Sequence, residues 1–149
     1  MAVTKNDLKE YQKMLLALES YDLQIAKAYD TYKSPALTAN GTSRGADPGD
    51  PTARALDRIE KLRAARKILL QRILEIETFV DNIEDLYERA ICQYHYIIGL
   101  TWDATCYQLR KHHSISVVFD YDSEWWADYE SKIKEKEAKE SKLDESSEC

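Results

Sequence analysis

Helix-breaking residues are scarce and concentrated in this sequence. Of four glycines and three prolines, only Gly99 lies outside the stretch SPALTANGTSRGADPGDP, residues 34–51 of the 149. That stretch is long for a loop inside a compact domain and is expected to be a mobile connector. It lacks the Gly-Lys-Ser/Thr ending and the preceding strand pattern of a phosphate-cradling loop, so nucleotide binding is not expected. Cysteine is rare too: Cys92, Cys106 and Cys149 are an odd number, which excludes a disulfide framework and points to a reducing cytoplasm. No apolar run is long enough to span a membrane, and residues 1–10 carry no secretory-type segment.

Positive charge is lacking where it would matter for nucleic acid. The formal net charge is -6. Lys/Arg and Asp/Glu balance at 16 each through His113, so the excess sits in the last quarter of the chain, with 5 basic against 11 acidic residues. Affinity for DNA comes mainly from cations meeting phosphates, and the C-terminal part starts at a disadvantage for it.

What is present is helical periodicity. Leu8, Tyr11, Leu15, Leu18, Asp22, Ile25, Tyr29 and Tyr32 recur at alternating spacings of three and four, as do Ile59, Leu62, Arg66, Leu69, Ile73, Ile76, Val80 and Ile83. Both are coiled-coil-like stripes that suit packing against a second helix. An antiparallel hairpin over residues 1–80, with its connector at 34–51, pairs Tyr29 with Ile59, Leu15 with Ile73 and Leu8 with Val80. The same register sets Asp22 against Arg66, the only charged residue of each stripe, and predicts an ion pair there that fixes alignment. Intermolecular pairing of the same stripes is the alternative and would give a homodimer.

Residues 81–136 read as three shorter helices. Asp81 to Ile98 has Ile83, Leu86, Tyr87, Ala90, Ile91, Tyr94 and Ile97/Ile98 on its apolar side and ends at Gly99 in a left-handed cap. Thr101 caps a second helix from Trp102 to about Arg110, with Asp103 near its positive end. Lys111 to His113 make a turn, and Ser114 caps a last helix to about Lys136. Residues 137–149 are charged and expected to be disordered. The expected fold is therefore all-α: a long antiparallel hairpin followed by a C-terminal helix-turn-helix.

His95-Tyr96-Ile97-Ile98-Gly99-Leu100-Thr101-Trp102, followed by Asp103-Ala104-Thr105-Cys106-Tyr107-Gln108-Leu109, resembles the ArpU-like transcriptional regulators encoded by phages of Gram-positive bacteria. Their C-terminal halves are similar to the last helix-turn-helix of sigma factors. The resemblance implies a regulator in the bacterial host cytoplasm that binds DNA or RNA polymerase, with Arg110, Lys111, His112, His113, Ser114 and Ser116 as DNA contacts. It also implies that Gly99 turns the chain, that Trp102 packs the second helix on the first, and that Cys106 fills a small buried position usually held by alanine. The last helix departs from the family pattern Ser-Arg-Arg-x-Val-Tyr-Arg-x-His: Ser114, Val118 and Phe119 persist, but Ile115, Ser116, Asp120 and Asp122 stand where cations would be.

That departure supports a rival expectation, a non-enzymatic protein-binding inhibitor in the manner of a DNA mimic or anti-CRISPR protein. Asp120, Tyr121, Asp122, Glu124, Trp125 and Asp128 would then meet a basic host nucleic-acid-binding protein, because aromatic residues within an acidic surface suit such a partner. Cys92 and His95 are one helical turn apart, but the spacings to Cys106, His112 and His113 match no standard zinc module, so no metal or cofactor is expected. No nucleophile elbow or Cys/His catalytic pair occurs, and an enzyme is not expected.

Overall fold

The computed structural model describes residues 2–33, 51–109 and 114–147. Among them every regular element is helical and there is no strand: α1 (Lys5–Lys33), α2 (Pro51–Asp81), α3 (Leu86–Cys92) continuing into a π-helical segment (Gln93–Ile97), α4 (Trp102–Gln108) and α5 (Ile115–Ser147). No described helix is long and apolar enough to cross a membrane. Of the expected connector at 34–51, residues 34–50 lie outside the described residues and Pro51 opens α2; the expected turn at 111–113 also lies outside the described residues. The chain divides into two compact units, Lys13–Leu74 and Met1–Gln12 with Glu75–Cys149.

In Lys13–Leu74, Ala55, Ile59, Leu62 and Ile73 of α2 are buried, and Leu15, Leu18 and Ile25 of α1 are half-buried. The anticipated ion pair is present, Arg66 Nε to Asp22 Oδ1 at 2.6 Å. It is flanked by Arg58 donating to Gln24 at 3.1 Å and by Arg63, which donates to the Tyr29 hydroxyl with its guanidinium 5.1 Å from that ring. The Asp22 side chain is 53% exposed, so the pair contributes little to stability and more to alignment. Leu16, Leu23, Ile68 and Leu74 remain exposed.

The other unit is built around the start of α1. Thr4 and Asp7 form a reciprocal cap: Asp7 Oδ2 accepts from the Thr4 backbone N–H at 2.8 Å, and Thr4 Oγ1 accepts from the Asp7 N–H at 3.3 Å. Val3 and Leu8, which flank this box at the spacing of a hydrophobic staple, are both buried.

The expected helix from Asp81 to Ile98 is not continuous. Asn82 Nδ2 donates to the Thr78 carbonyl at 2.8 Å as α2 ends, and Asp85 then caps α3, accepting from the Tyr87 and Glu88 N–H groups. Restarting at Leu86 turns the helix. Its buried residues are Glu88, Ile91 and Cys92, followed by Tyr96, while Leu86 is 71% exposed and Ile98 60%. The expected apolar side is thus corrected in part: Ile83 and Ile91 are buried as expected, whereas Leu86 and Ile98 are exposed, and the helix restarted at Asp85 buries Glu88 and Cys92.

In the π-helical segment the Ile98 N–H reaches back five residues to the Gln93 carbonyl at 2.9 Å. Gly99, at φ 89°, then turns the chain, and the Leu100 N–H closes on the Tyr94 carbonyl at 3.0 Å. The Tyr96 and Ile97 carbonyls both accept from Gln12 Nε2, at 3.1 and 2.7 Å. Thr101 caps α4 as expected, accepting from the Ala104 N–H at 3.2 Å.

Helix α5 runs to Ser147, past the boundary expected near Lys136, so residues 137–147 are helical and no disordered tail begins there. Ala138 and the run of Glu and Lys favour helix, with opposite charges four apart at Glu135/Lys139 and Lys136/Glu140.

A Cβ at Gly99 would lie 3.0–3.3 Å from the Gln12 side-chain amide, in a backbone conformation that costs an L-residue about 1 kcal/mol. Gly99→Ala is expected to cost about 2 kcal/mol once the Gln12 hydrogen bonds are disturbed. A thermal melt followed by circular dichroism should show Tm lowered by roughly 5–10 °C.

Candidate functional site

The phase of α5 separates the residues expected to act. Val118, Asp122 and Trp126 recur every four residues and are fully buried. Asp122 therefore cannot belong to a partner-binding surface, which corrects its assignment. Its neighbours Asp120 and Glu124 are exposed, and Asp128 pairs with Lys132 at 3.0 Å on the solvent side.

Trp125 is half-buried, stacked on Tyr129 at 5.3 Å and 8°. Trp126 and Tyr129 both pack on Phe79 of α2. Much of the aromatic crowding is thus internal. Tyr121 sits at the edge, donating to Asp85 Oδ2 and packed edge-on against Tyr87. That bond lowers the Asp85 pKa and raises that of Tyr121 to about 12.

Of the expected DNA contacts, Arg110, Lys111, His112 and His113 lie outside the described residues. Ser114 and Ser116 are exposed, with their hydroxyls 2.9 Å apart. Around them Ile115, Val117 and Phe119 are exposed, as is Tyr107 of α4. No Lys or Arg follows Ser114 until Lys132.

Beneath this surface lies a polar cluster that hydrophobic patterning missed. Glu88 and Cys92 occupy one face of α3, a turn apart, and meet Asp122 from α5. One donor atom from each lies within 4.8 Å of the others, and all three residues are wholly buried. Cys92 Sγ donates to Glu88 Oε1 at 3.3 Å. The Tyr96 hydroxyl donates to Asp122 Oδ2 at 2.8 Å, and Lys5 Nζ, partly solvent-exposed, stands 3.6 Å from the same oxygen. The other carboxyl oxygens, Glu88 Oε2 and Asp122 Oδ1, have no hydrogen-bond partner in the structure among the described residues.

One proton resolves this arrangement. Burial first, then hydrogen bonding and charge at Asp122, push the Glu88 carboxyl up to about 10. As a neutral acid it can donate to Asp122, which leaves a carboxylate beside the Lys5 ammonium. Burial, with the nearby charges of Glu88 and Asp122, also pushes the Cys92 thiol upward, so it is not an activated nucleophile. The Tyr96 phenol rises for the same reasons, burial first and then Asp122.

His95 does not join this cluster. Its Nδ1 faces the Leu100 carbonyl at 2.8 Å, and because a carbonyl can only accept, that nitrogen carries the hydrogen. The ring stacks on Trp102 at 3.7 Å, and burial lowers its pKa. The small position expected of Cys106 is also corrected. Thr105 is the fully buried residue of α4, and Cys106 is only half-buried, one residue round the helix.

No family model, curated protein or solved structure matches this chain.

The Glu88 proton makes stability depend on pH. A folded-state pKa raised from 4.5 to about 10 means the folded chain holds a proton that the unfolded chain releases. This contribution is fully favourable below 4.5 and is lost as pH rises toward 10. Glu88→Gln keeps an N–H donor toward Asp122 without needing the proton. It is expected to stabilise the chain at pH 8 by on the order of 2 kcal/mol and to flatten the dependence between pH 5 and 9. Urea denaturation of both proteins across that range measures it.

Proposed function

We propose that the chain is a non-enzymatic, phage-type regulator in which a helix-turn-helix at α4 and α5 follows an antiparallel hairpin of α1 and α2, and that it engages the transcription machinery by protein contact. The Gly99 turn, the Thr101 cap and the packing of Trp102 against Phe119, rings 5.4 Å apart, support the motif. The pairing of Asp22 with Arg66 supports the hairpin.

One observation carries the protein-contact reading. The exposed surface of the first turns of α5, where a DNA reader presents cations, offers Val117, Asp120 and Glu124, with Ile115 exposed at the helix start and Phe119 partly covered by Trp102. Such a surface repels phosphates and complements a basic protein with an apolar patch. DNA binding is the second reading. It is favoured by the exposed Ser114 and Ser116 hydroxyls at the helix start, which follow Arg110–His113 in sequence.

Titrating labelled random duplex DNA by fluorescence anisotropy at low and moderate salt separates the two. No micromolar binding is expected. Binding of bacterial RNA polymerase, read by interferometry, is expected and should weaken at least roughly tenfold in Ile115→Asp or Val117→Asp, since buried apolar anchors each carry about 1–2 kcal/mol at interfaces. Micromolar DNA affinity that falls steeply with salt would instead establish the DNA-binding reading.

A further inference from the structure

We propose that Glu88, Cys92 and Asp122 form a binding site for one divalent transition-metal ion of the zinc class. The argument is independent of the function proposed above. Glu88 and Cys92 stand at the i, i+4 spacing that brings two ligands onto one helical face, and Asp122 meets them from α5 with donor atoms mutually within 4.8 Å. This is more than an acidic cluster. It contains a thiol, and apart from the proton the two acids share, one oxygen of each wholly buried carboxyl group, Glu88 Oε2 and Asp122 Oδ1, accepts no hydrogen bond from the described residues.

The surroundings are arranged as metal ligands require. Tyr96 and Lys5 both hold Asp122 Oδ2, which orients the carboxylate and leaves Oδ1 to coordinate. A thiolate with two carboxylates suits Zn²⁺ or Co²⁺ and disfavours Mg²⁺ and Ca²⁺, which take oxygen ligands in larger number. The charge also balances. One M²⁺ displaces the carboxyl proton of Glu88 and the thiol proton of Cys92, both released to solvent, and the buried charge beside Lys5 is unchanged. Three protein ligands leave a fourth position for water. Since the ligands are buried, the ion would tie α3 to α5 and would not present a reactive centre.

The test uses the full-length reduced chain titrated with Co²⁺. One equivalent is expected to give thiolate-to-cobalt charge-transfer absorption together with tetrahedral visible bands, and Zn²⁺ should displace it and raise Tm. Cys92→Ala should abolish the charge-transfer band. Glu88→Gln should weaken binding roughly 100-fold or more, while its unshifted or raised metal-free Tm shows that the fold is intact. Absence of charge-transfer absorption in the folded wild-type chain overturns the proposal. So does a band that survives Cys92→Ala and vanishes in Cys106→Ser or Cys149→Ser, or undiminished binding by Glu88→Gln.

Discussion

The carboxyl pair of Glu88 and Asp122 joins α3 to α5 at the centre of the C-terminal unit. Two carboxylates buried together would repel in a medium that screens them poorly, so the arrangement exists only with a proton between them or a cation among them. That condition recruits the rest of the unit. Lys5 comes from the first turn of α1, Tyr96 from the π-helical segment and Cys92 from α3, each bonded or ion-paired to one of the two acids. A buried network in which each member must be satisfied specifies one arrangement more strictly than interchangeable apolar contacts do.

Glu88, Cys92 and Tyr96 follow at intervals of four, so one helical face carries all three toward Asp122. At the end of that helix the Tyr96 and Ile97 carbonyls accept from Gln12, which donates to both. The start of α1 is thereby tied twice, through Lys5 to Asp122 and through Gln12 to the turn. This is the physical reason that residues 1–12 belong with the C-terminal unit, although the sequence pattern assigns them to the hairpin.

The features legible from sequence were those set by local chemistry or by long periodicity. The helices themselves, the Asp22–Arg66 pair, the left-handed glycine at 99 and the Thr101 cap each follow from a residue type or a repeat. The box of Thr4 and Asp7 carried a recognisable signal that patterning by apolar residues passed over. The acidic cluster carried none. Nothing in the spacing of Glu88 and Asp122, 34 positions apart, distinguishes them from the many acids on solvated faces. Their inward turn depends on where Asp85 restarts α3 and on the phase of α5. The last turns of the final helix, residues 137–147, were missed for the opposite reason: their charges suggest disorder by composition while their spacing supports helix.

The same phase that sends Asp122 inward decides what α5 can offer outward. With Val118, Asp122 and Trp126 committed to the core, the remaining faces of its first turns hold Val117, Asp120, Tyr121 and Glu124, and Ile115 is exposed at the helix start. A DNA-reading helix needs its cations in that outward phase, since phosphate contacts hold the helix in register before any base is read. Arg110 and Lys111, which precede the helix in sequence, could anchor one end of it, but Asp120 and Glu124 would still confront the backbone along its length. Apolar residues there have the reverse implication. Exposed Ile115 and Val117 gain nothing from water, and burying the half of each that is exposed against a protein would recover on the order of 1 kcal/mol per side chain. The acids flanking them then select a basic partner and raise the rate of encounter, whereas on DNA they would only oppose it.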